Sequence, residues 1–234
     1  MITLNTGEAY ISTAVIDLTN GFIYAMGYDS YPFIVKISLT PFSRVDVFLF
    51  PAEYPNAYTS DMVVDEPNKI LYAGDNMYID SDEYPWGYAG VIYKIDLSTL
   101  TLAGVLLTER CYMGAIVIDQ PNGAVFIMSL ESGNGANETI YKVRLSDFTV
   151  VEEIDTQRFA GYDALIDQWR GLAYFSYNAT PGGVLKLGGL TKMNPASKDV
   201  KDILEAETSL GLVFQTNLFV LLVIKSSKHY YIQR

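Results

Sequence analysis

The chain has 234 residues, of which 50% are hydrophobic and 13% aromatic, so it carries enough apolar material for a large core and is not disordered. Its formal net charge of −11, with no cluster of basic residues, argues against nucleic acid and against an anionic membrane surface as partners. The lone Cys111 excludes an intrachain disulfide. The first residues lack the basic and apolar regions of a signal peptide, which favours the cytoplasm but leaves the compartment open. We expect no membrane insertion, since the longest apolar stretch, 210–224, is interrupted and too short to span a bilayer, and no cofactor, since no glycine-rich phosphate loop is present.

The first predicted element is an apolar segment that ends in Asp17, turns through Leu-Thr-Asn-Gly, and continues into a second apolar segment that reaches Tyr24. The same arrangement recurs along the chain. Its marker residues are Asp17, Asp65, Asp119 and Asp167, with a weaker fifth copy at Gln215, and their spacings are 48, 54, 48 and 48 residues. In the four good copies an aromatic residue follows the aspartate by seven positions. A repeat of this length is typical of propellers and solenoids.

Each unit contains four short apolar segments, named A to D. Segment A ends at the marker, B follows the turn, C carries a lysine, and D completes the unit. The C segments are predicted at 34–37, 92–95, 140–143 and 184–187, with Lys36, Lys94, Lys142 and Lys186 as their lysines. Short strands with turn signals at regular spacing indicate an antiparallel all-β fold, and four strands per unit indicate a propeller blade.

The two ends of the sequence complement each other. The fifth unit has A, B and C segments without a D segment, while residues 1–4 precede the first A segment as each D segment precedes the next A. The sequence therefore predicts one domain, residues 1–234, that folds as a five-bladed β-propeller with four antiparallel strands per blade, closed by the N-terminal strand. The predicted blades are 8–50, 56–107, 110–154, 158–205, and 206–234 together with 1–4.

The unit "apolar-Asp…Asn-Gly…apolar-Tyr…Ile-Tyr-Lys-Ile-Asp-Leu" resembles the YVTN- and NHL-type propeller repeats. The matching features are the aspartate before the A–B turn and the lysine-containing strand followed by Asp-Leu-Ser. The resemblance covers all five units and is weakest in the fifth, where Gln215 replaces the aspartate. It implies a fold and no particular function, because that superfamily includes scaffolds, lectins, peptide binders and enzymes.

The four marker aspartates have two interpretations. Five-bladed glycosidases use carboxylates in the central channel, so a ring of aspartates could be catalytic. However, each marker stands before turn residues such as Asn-Gly or Pro-Asn, where an aspartate accepts hydrogen bonds from backbone N–H groups two residues on. Because the aspartate recurs in every good copy, we predict a structural role in the turn.

In a propeller the B–C and D–A loops share one face, here called the loop face, and the A–B and C–D turns share the opposite turn face. The B–C loops vary in length and content, which marks the loop face as the binding face. The longest of them follows the second B segment and carries aromatic and acidic residues. Its aromatic residues, Tyr84, Trp86 and Tyr88, are predicted to contact a protein or a carbohydrate. Its acidic residues, Asp75, Asp80, Asp82 and Glu83, are weaker candidates for Ca²⁺ binding, since their spacing differs from that of an EF-hand.

A second set of candidates lies where D passes into A, near the rim of the central funnel. It consists of Tyr10, Tyr58 and Tyr112, seven residues before the markers, and of Arg110 and Arg158 two residues earlier in their units. These side chains are predicted to bind a ligand. The alternatives are packing between blades for the tyrosines and a solvated rim for the arginines.

Asp61 and Asp163 begin the A segments of two blades near the same mouth and are weak candidates for an acid–base pair. The predicted function is a non-enzymatic binding or interaction module for a protein or carbohydrate ligand. The alternatives are a glycan-processing hydrolase that uses these funnel carboxylates, or a structural protein of a surface layer or particle. The sequons at Asn137 and Asn178 matter only if the protein is secreted.

Overall fold

The structure is a computed structural model that describes residues 7, 10–29, 31–51, 58–78, 88–108, 113–130, 138–155, 159–178, 189–194 and 200–205. Sixteen strands in these ranges form four antiparallel sheets of four strands each. No helix in the described ranges is long and apolar enough to cross a membrane.

The strands of each sheet are hydrogen-bonded in chain order. The first sheet contains β1 (Ile11–Asp17), β2 (Phe22–Tyr28), β3 (Pro32–Leu39) and β4 (Phe42–Leu49). The second contains β5 (Tyr58–Asp65), β6 (Ile70–Tyr78), β7 (Tyr88–Asp96) and β8 (Thr101–Thr108). The third contains β9 (Met113–Asp119), β10 (Ala124–Leu130), β11 (Glu138–Arg144) and β12 (Thr149–Asp155). The fourth contains β13 (Phe159–Asp167), β14 (Leu172–Asn178), β15 (Gly189–Met193) and β16 (Val200–Glu205).

The first strands of the four sheets, β1, β5, β9 and β13, lie next to one another in that order. Apolar clusters fill the space between consecutive sheets, with Met26 and Ile34 packed against Leu71 and Val91 at the first junction. The all-β class and the four-stranded blade are therefore confirmed for four units. The fifth predicted blade and the closing strand 1–4 lie outside the described residues.

A buried aromatic residue on the second strand of each sheet lies opposite a lysine on the third strand. The pairs are Tyr24 with Lys36, Tyr72 with Lys94, Phe126 with Lys142, and Tyr174 with Lys192. The lysines reach toward the next blade, since Lys36 Nζ donates to Leu97 O at 3.3 Å and Lys94 Nζ donates to Leu145 O at 3.5 Å. The aromatic–lysine row is thus part of the junction between blades.

The same row corrects one sequence assignment. The third strand of the fourth sheet was predicted at 184–187 with Lys186, but the strand that pairs with β14 is Gly189–Met193 and its lysine is Lys192. Lys186 stands between two leucines and Lys192 between Thr191 and Met193, so the apolar pattern of the sequence favours the predicted segment. The antiparallel register with Tyr174, repeated from the other blades, selects Lys192.

Candidate interaction surface

The marker aspartates are turn residues, as predicted. Asp17 Oδ1 accepts the Asn20 N–H at 2.9 Å, and its two oxygens also accept from the Asn20 side-chain amide. Asp65 binds Asn68 in the same way, Asp119 accepts from the Asn122 side chain, and Asp167 accepts from the backbone of residues 169 and 170. The backbone donor lies three residues on in the first two blades, one position later than expected. These carboxylates hold the A–B turns on the turn face.

The turns close through a left-handed residue four positions after the marker. Gly21, Gly123 and Gly171 have φ values of 75°, 61° and 60°, and Lys69 adopts the same conformation at 54°. Glycine occupies this conformation without the steric cost that a side chain brings. The recurrent glycine of the repeat is thereby explained.

Neighbouring turns are tied to each other across the blade junctions. Thr19 donates its N–H and its hydroxyl to the Glu66 carboxylate, and Gln120 Nε2 donates to Asp65 Oδ1 at 3.3 Å. An open depression of about 500 Å³ lies on this face between the second and third blades, and its walls include Tyr72 and Arg144. Gln120 and Lys94, which line it, already bond across the junction, so the depression is a seam between repeats, on the face opposite to the predicted binding face.

Asp61 ties two blades together. Its Oδ2 accepts the Ile116 N–H of β9 at 3.1 Å, in a half-buried position. Asp163 lies in β13, but its side chain is outside the described part of the chain. The distance between the two carboxylates, on which the acid–base hypothesis depends, therefore stays untested.

Most of the other sequence candidates lie in connections outside the described residues. These are Asp80, Asp82, Glu83, Tyr84, Trp86, Arg110, Tyr112 and Arg158. Tyr58 begins β5 and Tyr88 begins β7, where Tyr88 pairs with Tyr78, but their side chains are not among those described. Their predicted roles in binding stay predictions.

Asp75 is fully buried in β6, near the loop face. Its Oδ1 accepts the Asn76 N–H at 2.6 Å, while its Oδ2 has no hydrogen-bond partner in the part of the chain that the structure describes. Burial raises the pKa of the Asp75 carboxyl well above its usual range, against a smaller lowering by the Asn76 hydrogen bond. Among the described residues no group of three potential metal ligands comes together, and the other acidic candidates lie outside these residues, so the Ca²⁺ hypothesis stays a prediction.

Three tyrosines of the first blade are exposed at the loop face. Tyr10 is 82% exposed, Tyr31 is 57% exposed and Tyr28 is 37% exposed. We call Tyr10, Tyr28 and Tyr31 the tyrosine surface. Of these three residues only Tyr10 was predicted from the sequence. The position of Tyr28 and Tyr31, on either side of the first B–C loop, could have indicated the other two.

The backbone holds these tyrosines close together. The Tyr28 N–H donates to Tyr10 O at 3.2 Å, and the Asp29 N–H donates to Tyr31 O at 3.2 Å. Tyr10 has a φ of 53°, a left-handed conformation that is uncommon for a tyrosine. Gly27 permits the approach of Tyr10, because a Cβ at Gly27 would lie 2.6 Å from Tyr10 O. An exposed aromatic residue in an unfavourable conformation, fixed by its neighbours, is typical of a functional position.

Solved structures with a similar arrangement of sheets agree with the sequence resemblance. The WD40 repeats of RRP9 superpose with a TM-score of 0.58 at 10% identity, over 82% of this chain and 50% of that one. The β-propeller domain of the Trilobed protease from Pyrococcus furiosus gives a TM-score of 0.54 at 13% identity, over 84% of this chain and 57% of that one. The chain folds as a β-propeller.

This β-propeller spans about half the length of the structures it resembles. No protein-family model matches the sequence, and no curated protein matches it closely enough to count as a relative. At 10–13% identity the likeness concerns the fold alone, so the function has to be argued from the surface.

Proposed function

We propose that this β-propeller is a non-enzymatic interaction module that binds a protein partner through its loop face. The observation that carries the proposal is the tyrosine surface. Exposed tyrosine provides a large, rigid contact area at a low cost in conformational entropy, and aromatic residues are enriched at the energetic centres of interfaces. The proposed surface also includes the aromatic residues predicted from the sequence, Tyr84 and Trp86 between β6 and β7 and Tyr88 at the start of β7.

The described carboxylates support binding better than catalysis. Asp61 accepts a backbone N–H of the next blade, and the marker aspartates hold turns on the opposite face. Each of these carboxylates thus has a structural task. Asp75, whose second oxygen has no hydrogen-bond partner among the described residues, is buried rather than presented to a substrate, and this burial raises the pKa of its carboxyl.

Selection from a library of displayed peptides tests this proposal. The protein is used as bait, and the selected peptides are measured against a Tyr10→Ala/Tyr31→Ala variant and against Trp169→Ala as a matched control. Trp169 is 99% exposed in an A–B turn, so its removal deletes an aromatic ring from the opposite face. We expect binding to weaken by about ten-fold or more in the tyrosine variant and to persist in the control. Peptides that bind both variants and the parent equally would overturn the assignment of the face.

A carbohydrate ligand is the competing form of the same proposal, since exposed tyrosine rings also stack on sugars. A glycan array read with the parent and the two variants distinguishes them. Glycans that bind in a tyrosine-dependent way, with no tyrosine-dependent peptide, would replace the protein partner by a carbohydrate one.

We also propose that the ring is completed by a fifth blade formed by 206–234, with residues 1–4 as its outer strand. The repeat itself supports this proposal. A second support is the buried apolar cluster of Ala25, Phe33 and Val35, for which the described residues supply packing partners from the first blade only. The propeller of the Trilobed protease, which is similar to this chain, is described as having an open velcro topology. Closure by a terminal strand is therefore a feature that has to be tested for this protein.

Deletion of residues 1–4 tests the closure. We expect a lower melting temperature or aggregation, because the deletion would leave an unpaired strand edge. A truncated protein that melts at the temperature of the full chain would show that these residues do not close the ring.

A further inference from the structure

We infer that the tyrosine surface binds a cationic segment of its partner, one rich in lysine or arginine. The inference rests on the proposed function and adds the chemistry of the partner. It is carried by two independent features of the described residues: the distribution of charge between the two faces, and the exposure of tyrosine rings beside a carboxylate.

The described cations are confined to the turn-face half of the molecule. Each of them lies in an A–B turn or within the four strand residues next to an A–B or C–D turn. They are Lys36, Arg44, Lys69, Lys94, Lys142, Arg144, Arg170, Lys192 and Lys201. The described residues at the loop face include acids and no cation: Asp29 directly follows β2, and Glu138, Asp155 and Glu205 lie at strand ends. The turn face carries acids as well, but there the cations accompany them.

The connections at the loop face are also acidic in sequence. The segments that precede the first strands of the sheets and that link second to third strands contain seven acidic and three basic residues outside the described ranges. The acids are Glu8, Glu53, Asp80, Asp82, Glu83, Glu109 and Glu131, and the bases are Arg110, Arg158 and Lys186. With a net charge of −11 for the whole chain, this face attracts a positively charged partner and repels an anionic one.

Tyrosine next to a carboxylate suits a cation in particular. The face of an aromatic ring attracts an ammonium or guanidinium group, and an adjacent carboxylate adds an ion pair. The molecule already uses this contact internally, where Lys36 Nζ lies 4.2 Å from the centroid of the Phe22 ring. At the tyrosine surface Asp29 is exposed between Tyr28 and Tyr31 in the chain, so the ring faces and a negative charge are presented together.

The surface fits an extended segment better than a single small amine. The three tyrosines are presented from the start of β1, the end of β2 and the loop before β3, so they form an open surface rather than a closed pocket. Several cations on one chain would engage several rings and Asp29 at once. A free amine would make one such contact and bind far more weakly.

The experiment uses three fluorescent decapeptides of alternating sequence, Arg-Gly, Gln-Gly and Glu-Gly, and measures binding to the full chain by anisotropy at low and at physiological salt. We expect Arg-Gly to bind, with an affinity that falls as salt rises, and the other two not to bind. Tyr10→Leu/Tyr31→Leu should weaken Arg-Gly binding about ten-fold, and Tyr10→Phe/Tyr31→Phe should retain it, because phenylalanine keeps the ring face. Trp169→Leu, on the other face, should bind as the parent does, and thermal melts confirm that each variant is folded.

Two results would overturn the inference. Equal Arg-Gly affinity in the parent and the leucine variant would mean that net charge alone attracts the peptide and that the tyrosines play no part. No binding of Arg-Gly to the parent at low salt would exclude a cationic partner. The proposed function stands after either result if neutral or acidic library peptides still bind through Tyr10 and Tyr31. If no library peptide binds in a tyrosine-dependent way, the proposed function is refuted as well.

Discussion

Substitution of two equivalent aspartates tests how the blades are held together. Asp65 and Asp119 occupy the same position of consecutive A–B turns and are 1% and 2% exposed, so they form a matched pair. Asp65 accepts three hydrogen bonds, from the Asn68 N–H, the Asn68 side chain and Gln120 Nε2 of the next blade. Asp119 accepts from the Asn122 side chain alone among the hydrogen bonds described.

The difference in partners gives the expected magnitudes. A hydrogen bond contributes about 1 kcal/mol net to stability, and the donors around these turns regain water when the carboxylate is removed. We therefore expect Asp65→Ala to lower the free energy of unfolding by about 2–3 kcal/mol and Asp119→Ala by about 1 kcal/mol. In a double-mutant cycle, Asp65→Ala and Gln120→Ala should couple by about 0.5–1 kcal/mol, the share of the bond between blades.

Urea denaturation followed by circular dichroism measures both substitutions, and equal slopes are needed for the comparison to hold. If Asp119→Ala lowers the free energy of unfolding as much as Asp65→Ala does, the additional hydrogen-bond partners of Asp65 do not account for its contribution to stability. A coupling energy near zero between Asp65 and Gln120 would show that the bond across the junction contributes nothing.

Three further predictions concern other contacts. Burial raises the pKa of the Asp75 carboxyl, so the contribution of this carboxyl to stability is complete below about pH 4 and is lost as the pH rises through the folded pKa. In urea melts the stability of Asp75→Asn relative to the parent should therefore increase over that range. Parallel curves of stability against pH for the two proteins would contradict this. Gly27→Ala should destabilise by about 1–3 kcal/mol in the same assay and weaken peptide binding, since its Cβ would displace Tyr10; an unchanged melt would show that the loop adapts. Lys36→Met should cost about 1 kcal/mol, because it loses the contact with the Phe22 ring and a hydrogen bond to the second blade, whereas Lys36→Arg should keep most of it.

Local chemistry explains where prediction from the sequence succeeded. The turn after Asp17 is closed by a bond to Asn20, three residues away, and by the left-handed Gly21. Such interactions depend on residues close together in the chain. Because the repeat contains them several times, the turn assigned in one copy supports the same assignment in the next copy. The fourth sheet shows the limit, because the apolar neighbours of Lys186 favour that lysine in the sequence, whereas pairing with Tyr174 selects Lys192.

By itself, the sequence determined the repeat, the all-β class, the four strands per blade and the role of the marker aspartates, since each follows from short-range pattern. The tertiary structure alone decided which side chains are covered. Tyr24 is buried at a blade junction whereas Tyr10, fourteen residues earlier, is exposed. Asp75 is enclosed, and one of its oxygens has no partner among the described residues. Asp61 reaches a backbone N–H 55 residues away. Burial and pairing of this kind depend on which blade lies opposite, and the residues that face one another there are about fifty positions apart in the chain.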